Sequence, residues 1–192
     1  MMKGRDSGMP DEEYWSSFFD AEGVIKKLFG EENCQGNVVE FGCGYGTFTF
    51  PAARHTTGTV YAFDIEPDLI EQLRGRVKRD AILNIVAETR DFVTDGTGLE
   101  TGSQSHAMIY NLLHIEEPIG LLKEAARLLQ PNGRLSVIHW RCDVPTPRGP
   151  ALSIRPTPEQ CKVWMEAAGF REVRDIDLQK CCQFHFGLVA SA

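Results

Sequence analysis

Three glycines within five residues are the first feature of the chain that could do chemistry. Gly42, Gly44 and Gly46 follow the apolar segment 37–41, which is typical of a short buried strand. In chains that alternate strands and helices, a glycine turn after the first strand is the usual nucleotide site. Glycine lets the backbone approach a ligand closely and adopt positive φ. The alternative is a tight turn without a ligand, since glycine is common in turns.

The spacing of these glycines departs from the dinucleotide fingerprint G-x-G-x-x-G, whose third glycine lets helix and strand pack closely. That third position is Thr47 when counted from Gly42, and Thr49 when counted from Gly44. Glu40 stands two residues before the turn, where a carboxylate would repel a pyrophosphate and attract a ligand with ammonium and sulfonium groups. Spacing and charge therefore favour S-adenosyl-L-methionine over NAD.

The second candidate ligand is Asp64, which follows the predicted strand 59–63. An acid at this place can accept hydrogen bonds from both ribose hydroxyls of a nucleotide. Its alternative role is to cap the helix that begins at Pro67, although Glu66 is better placed for that. Glu40, the three glycines and Asp64 together are much more specific than any one of them.

With these residues, the chain from about Val38 to its end resembles the class I S-adenosylmethionine-dependent methyltransferases. The family's first motif is similar to residues 39–46, and its second to residues 60–65. Residues 111–114 resemble the end of strand four in the small-molecule branch. The resemblance implies S-adenosyl-L-methionine as the cofactor, held by the residues Glu40, Phe41, Gly42, Cys43, Gly44, Gly46, Asp64, Ile65, Asp91, Phe92 and Asn111. Asp91 and Phe92 stand where the family contacts adenine.

The apolar periodicity predicts one α/β domain over residues 1–192. Strands are predicted at 37–41, 59–63, 82–87, 106–112, 135–140, 170–178 and 181–190. Helices are predicted at 11–29 with a break near Gly23, at 47–54, from Pro67, from Pro118, and at 157–168. The resemblance implies a Rossmann-like class I methyltransferase fold, a three-layer αβα sandwich whose seven strands have the order 3-2-1-4-5-7-6. Strand seven is expected to be antiparallel, and residues 11–30 to form a helical lid.

Several classes of function are disfavoured. The net charge of -7 argues against a nucleic-acid binder. There is no apolar run that would span a bilayer and no signal-peptide core, so a cytoplasmic protein with reduced cysteines is expected. The six cysteines have no C-x-x-C spacing, so no metal site is predicted. Cys181 and Cys182 are expected to pack within the last strand. In DNA amino-methyltransferases, the Asp or Asn at the end of strand four is followed by two prolines. Asn111 is not, so this class of enzyme is disfavoured.

The catalytic residue stays undefined, because methyl transfer from a sulfonium needs no protein nucleophile. A general base is needed only if the acceptor loses a proton. His114 and His139 are candidates for this base, and the alternative is that each has a structural role. The sequence does not decide which face of the sheet His185 points to. Tyr14 and Trp15 could cover the substrate or pack the helix.

The acceptor is expected to be a small molecule, because the chain has little room for a separate substrate domain. A carboxylate or phosphate on it could be held by Arg148 or Arg155, in the proline-rich loop of residues 145–158. Alternatively, both arginines are solvated or pair with Asp143 and Glu159. Two other functions stay open: a methyltransferase-like binding or scaffold protein without catalysis, and an NAD-dependent oxidoreductase.

Overall fold

The computed structural model describes residues 8–30 and 33–192. The helices are α1 (Glu12–Ser16), α2 (Ala21–Phe29), α3 (Thr49–Arg54), α4 (Pro67–Arg79), α5 (Phe92–Asp95), α6 (Pro118–Leu128) and α7 (Pro158–Ala167), with one 3-10 turn at Leu152–Ile154. The strands are β1 (Val38–Phe41), β2 (Val60–Asp64), β3 (Ile85–Thr89), β4 (Gln104–Tyr110), β5 (Leu129–Trp140), β6 (Arg171–Ile176) and β7 (His185–Ser191).

The strands of the described chain form one sheet in the order β3-β2-β1-β4-β5-β7-β6. Strands β1 to β5 pair in parallel, whereas β7 runs antiparallel to both β5 and β6. The short connection from β6 to β7 allows only this direction, because parallel neighbours need a long crossover. The predicted order and the antiparallel seventh strand are confirmed.

Helices cover both faces of the sheet. One core contains Ile25 of α2, Phe50 of α3 and Ile70 of α4. The other contains Leu122 of α6 and Met165 of α7. The three-layer fold is therefore confirmed. In the described ranges, no helix has the length and apolar character needed to cross a membrane.

The N-terminal helical segment breaks earlier than predicted. Its break falls between Ser16 and Ala21, and the Asp20 carboxylate caps α2 by accepting the N–H of Gly23 at 3.0 Å. Gly23 thus lies in the first turn of α2, and the prediction of a break there is wrong. Only α1 approaches the edge of the sheet that carries the predicted site, since α2 packs its apolar face into the core.

Two strand boundaries differ from the predicted ones, and each lies near a residue with positive φ. Asn111 has φ of 59°, so β4 ends at Tyr110 and not at residue 112. Ala81 has φ of 50° just after α4, and β3 begins only at Ile85. Cys181 and Cys182 lie in the turn before β7, and both of their amides donate to the carbonyl of Leu178 at 2.8 Å. Their predicted place in the last strand is wrong.

Candidate functional site

A cavity of about 310 Å³ lies at the carboxyl ends of the parallel strands. Its volume falls in the range of small-molecule sites. The predicted cofactor ligands in its wall are Gly42, Cys43, Gly44, Asp64, Ile65, Asp91, Phe92 and Asn111. Three others, Glu40, Phe41 and Gly46, lie outside the lining. The sequence thus placed most of its candidate residues around one cavity.

The glycine turn is fixed to the end of β2. The amides of Gly42 and Cys43 both donate to the carbonyl of Phe63, at 2.8 and 3.0 Å. Gly46 has φ of 80°, and a Cβ there would lie 2.8 Å from the ring of Phe50 and 2.9 Å from Leu73. Gly46 is therefore required for packing of the turn on its helices, which explains why it is absent from the cavity wall.

Asp64 links the glycine turn to the start of α4. Its Oδ2 accepts the N–H of Gly44 at 2.8 Å, and its Oδ1 accepts the N–H of Glu66 at 3.0 Å. The carboxyl is nearly buried, and burial raises its pKa. Because each carboxylate oxygen has two lone pairs, both oxygens can still accept a hydroxyl from the cavity.

Glu40 lies beneath the turn and is only 2% exposed. Its Oε2 accepts the hydroxyl of Thr49 at 2.5 Å. Burial raises the pKa of Glu40 to about 8, against the opposing hydrogen bond from Thr49, and the charge of Asp64 adds a smaller upward contribution. The side chain is therefore mostly protonated at neutral pH. The attraction for a sulfonium inferred from the sequence applies only to its ionised form.

Glu40→Gln is expected to flatten the pH dependence of stability. The folded state holds a proton on Glu40 up to about pH 8, whereas the unfolded chain loses it near the ordinary value of 4.5. The free energy of unfolding of the wild type should therefore fall as pH rises through this window, by up to about 1.4 kcal/mol per pH unit. Urea unfolding at pH 5, 6.5 and 8 measures it. Glu88→Gln, at an exposed carboxylate, should keep the wild-type slope; equal slopes for wild type and Glu40→Gln would contradict the assignment.

Asp91 and Phe92, which the resemblance assigns to adenine, both line the cavity. Asp91 caps α5, and its Oδ2 accepts the hydroxyl of Thr94 at 3.0 Å. The ring of Phe92 packs edge-on against Phe41, with centroids 5.3 Å apart. Phe41 thus supports the wall from behind, and Phe92 presents an apolar surface to the cavity.

Asn111 has an unsatisfied polar side chain at the cavity wall. Its Oδ1 and Nδ2 atoms are buried and have no hydrogen-bond partner within the described residues. Its backbone is held by a 2.7 Å bond from its N–H to the carbonyl of Ile138. Buried amide groups without partners are costly, and such groups are rare in folded proteins. A polar group of a bound molecule would satisfy this side chain.

An aromatic wall forms the other side of the cavity, and sequence reasoning missed most of it. Its members are Trp15, Phe48, Tyr110 and Trp140. Trp15 packs on Trp140 with centroids 6.3 Å apart, so it both lines the cavity and anchors α1. Tyr14 is 44% exposed and lies outside the lining. The position of Tyr110 and Trp140 as the last residues of β4 and β5 was the signal that could have identified them.

Two histidines from neighbouring strand ends meet beside the cavity. His114 lines it, and its Nδ1 lies 3.2 Å from Nε2 of buried His139. His185 is 3% exposed and lies between the rings of Phe19 and Trp140, on the face covered by α2 to α4. Within the described ranges, no three His, Cys, Asp or Glu side chains come together as a metal site.

The segment of residues 8–10 covers the glycine turn. The hydroxyl of Tyr45 donates to the carbonyl of Pro10 at 2.8 Å, and Arg148 donates to the carbonyl of Gly8 at 2.7 Å. Gly8 and Met9 line the cavity, and so does Arg148. Arg148 therefore lies at the rim, where it can also meet a ligand.

Arg155 has a different role from the one considered in the sequence. It is 8% exposed, and its Nη1 donates to the carbonyl of Arg141 at 2.6 Å and to Thr146 Oγ1 at 2.9 Å. Its Nη2 donates to the carbonyl of Pro150 at 2.8 Å. Asp143 pairs with Arg141 at 2.6 Å, so the alternative in which it pairs with Arg148 or Arg155 is wrong. Arg155 holds the proline-rich loop together.

Arg155→Met is expected to destabilise the fold by about 2–5 kcal/mol, because several carbonyls lose a charged donor inside the loop. Arg148→Met serves as the matched control, because this partly exposed side chain makes one backbone bond and its loss should cost much less. Thermal unfolding of the two variants measures the difference. Equal losses would show that the loop does not depend on Arg155.

Comparison with known proteins gives the family. Residues 38–133, half of the chain, match the family model described as "Methyltransferase domain". Aklanonic acid methyltransferase DauC of Streptomyces sp. (strain C5) is 31% identical over 106 residues, which cover 52% of this chain and 46% of that protein. An uncharacterized 37.1 kDa protein in transposon TN4556 of Streptomyces fradiae is 33% identical over 102 residues, which cover 52% of this chain and 28% of that protein. The matched part is less than half of either relative.

Solved structures share the fold. A SAM dependent methyltransferase from Aquifex aeolicus has a TM-score of 0.79 at 22% identity, covering 94% of this chain and 93% of that one. A putative type 11 methyltransferase from Sulfolobus solfataricus has a TM-score of 0.71 at 21% identity, covering 90% and 92%. With the family match and the cavity built from both cofactor motifs, the chain belongs to the class I methyltransferases, whose cofactor is S-adenosyl-L-methionine.

Proposed function

We propose that this chain transfers a methyl group from S-adenosyl-L-methionine to a small, largely apolar acceptor. The observation that carries the proposal is the continuity of one cavity. The cavity joins the glycine turn and Asp64 at one end to the aromatic wall at the other. Cofactor and acceptor would thus lie in one compartment, where the protein contributes positioning and exclusion of water.

The cofactor half of the cavity suits the parts of S-adenosyl-L-methionine. Asp64 would accept the ribose hydroxyls, and Phe92 with Asp91 would hold the adenine. The unpartnered amide of Asn111 would meet a polar group near the sulfonium. When bound, the cofactor supplies an electrophilic methyl group on sulfur, so no nucleophile is needed from the protein.

The acceptor half is apolar with a cation at its rim. Trp15 and Trp140 offer flat surfaces for a ring, and Arg148 can bind a carboxylate or phosphate on the acceptor. The name of the streptomycete relative says that it methylates aklanonic acid, which is consistent with an acidic acceptor here. Arg155 is excluded from this role by its bonds within the proline-rich loop.

Calorimetric titration tests the cofactor half of the proposal. S-adenosyl-L-methionine and S-adenosylhomocysteine should both bind, whereas NAD should not. Binding of NAD in preference would overturn the proposal. A screen of metabolite fractions with radiolabelled S-adenosyl-L-methionine then tests transfer. Tight cofactor binding without labelled product in any fraction would favour a binding or scaffold role.

A further inference from the structure

The two histidines beside the cavity form a directed chain of hydrogen bonds. Nδ1 of His139 lies 3.4 Å from the carbonyl oxygen of Trp140, and Nε2 of His139 lies 3.2 Å from Nδ1 of His114. Nε2 of His114 has no partner among the described residues, and its ring forms part of the cavity wall. The chain thus runs from a backbone carbonyl to the cavity.

The carbonyl at one end decides which nitrogens carry protons. A carbonyl can only accept, so Nδ1 of His139 must be the protonated nitrogen. A neutral His139 then has a lone pair on Nε2, which must receive the Nδ1–H of His114. This leaves the lone pair of His114 on Nε2. The hydrogen bond made by one imidazole nitrogen therefore fixes whether the other nitrogen carries a proton, as in catalytic histidines generally.

Both rings are neutral at physiological pH. Burial, with a smaller contribution from the neighbouring His114, lowers the pKa of His139 to about 3. Burial also lowers the pKa of His114, with a smaller contribution from the guanidinium of Arg155. The other titratable groups near the pair are His185 on β7 and Glu116 on the His114 loop. A neutral His114 is a base ready to accept a proton.

The surroundings of His114 favour an acceptor that loses a proton from oxygen. The cationic groups on this side are Arg148 at the rim and Arg155 behind the pair, so a developing oxyanion is stabilised and an ammonium is repelled. The acidic side chains in the wall, Asp64 and Asp91, lie at the opposite end. The aromatic wall offers flat apolar surfaces beside this base.

We propose that the acceptor is a planar phenol or enol, that His114 Nε2 takes its hydroxyl proton, and that His139 positions His114 for this step. The inference rests on the proposed methyl transfer. The acceptor oxygen forms a bond to the methyl carbon, and the carbon–sulfur bond breaks with its electron pair passing to sulfur. The hydroxyl proton passes to His114. The products are a methyl ether, neutral S-adenosylhomocysteine and an imidazolium, which returns its proton to solvent.

The first experiment reads the protonated nitrogens directly. Long-range 1H–15N correlation spectra of the labelled protein with S-adenosylhomocysteine should show both His114 and His139 protonated at Nδ1 at neutral pH. His114→Asn identifies the His114 signals. His139→Phe, which keeps the bulk beside Phe186, should release His114 into a mixture of tautomers. A His114 ring protonated at Nε2 in the wild type would overturn the proposal.

The second experiment measures radiolabelled methyl transfer to 1-naphthol and 1,8-dihydroxyanthraquinone, with N-methylaniline as the amine comparison. His114→Asn can keep the bond to His139 but lacks Nε2, so kcat should fall about 10²–10⁴-fold. His139→Phe should lower kcat about tenfold with little change in KM. Activity of the wild type should decline only below pH 6.5, and this decline should vanish in His114→Asn. His55→Asn, at a remote histidine bonded to Glu22, should behave as wild type.

Three results would overturn the inference: an unchanged kcat in His114→Asn, transfer to N-methylaniline in preference to the hydroxyl acceptors, or no transfer to either hydroxyl acceptor. Calorimetry with S-adenosyl-L-methionine separates this failure from failure of the proposed function. If the cofactor binds the wild type and His114→Asn with equal affinity, only the acceptor class and the base are wrong.

Discussion

Gly44→Val is expected to abolish measurable binding of S-adenosyl-L-methionine. Gly44 has φ of 52°, and a β-branched residue there is strongly disfavoured. A Cβ would lie 3.2 Å from the end of the Met9 side chain and would enter the cavity that the turn lines. Any backbone shift also disturbs the 2.8 Å bond from the Gly44 N–H to Asp64. We expect the dissociation constant from calorimetry to rise at least about 100-fold, which is about 2.7 kcal/mol.

A control variant at Gly102 separates the effect of backbone strain from the loss of the cofactor site. Gly102 has φ of 66° and nothing within 4 Å of an added Cβ, and it lies outside the cavity wall. Gly102→Val should therefore suffer a similar backbone strain, lose some stability, and bind the cofactor normally. A folded Gly44→Val protein with wild-type affinity would show that the glycine turn has no ligand.

Asp64→Ala should weaken cofactor binding by about 1.5–3 kcal/mol, roughly 10- to 150-fold, as is typical for hydrogen bonds to a charged group. The reason is the loss of both oxygens that would accept the ribose hydroxyls in the proposed complex. The substitution also leaves the N–H groups of Gly44 and Glu66 without their acceptor, so some stability is lost as well. Calorimetry at a temperature where the variant is fully folded measures the affinity, and thermal unfolding measures the stability.

Two further variants refine the Asp64 prediction. Asp64→Asn keeps the shape and one acceptor oxygen, so it should lose less stability than Asp64→Ala and still bind weakly. Asp68→Ala removes an exposed acid from the first turn of the same helix and should leave the affinity unchanged. An affinity of Asp64→Ala within twofold of wild type would remove Asp64 from the cofactor site.

The sequence predicted the parts of the site that depend on local spacing. The glycine turn and the acid after β2 are encoded within a few residues of strand ends, and the parallel sheet brings such ends to one edge. The break before α2 was also local, since Asp20 is a good cap residue immediately before Ala21. The predicted break near Gly23 instead falls within the first turn that this cap begins.

Other features depend on contacts between distant residues and could not be read from spacing. His114 and His139 are separated by 25 positions, and their contact depends on the pairing of β4 with β5. The bonds of Arg155 to loop carbonyls require the folded path of the proline-rich loop. The protonation of Glu40 depends on its complete burial, which a motif position does not reveal.

The position of β7 has a consequence for how the chain folds during synthesis. β7 is made after both β5 and β6, yet it lies between them in the sheet. Its Leu188 and Val189 are buried. Until it emerges from the ribosome, β5 has an open edge and β6 has no neighbour, and such edges pair readily with other chains. Deletion of residues 185–191, which form β7, should therefore yield aggregated protein.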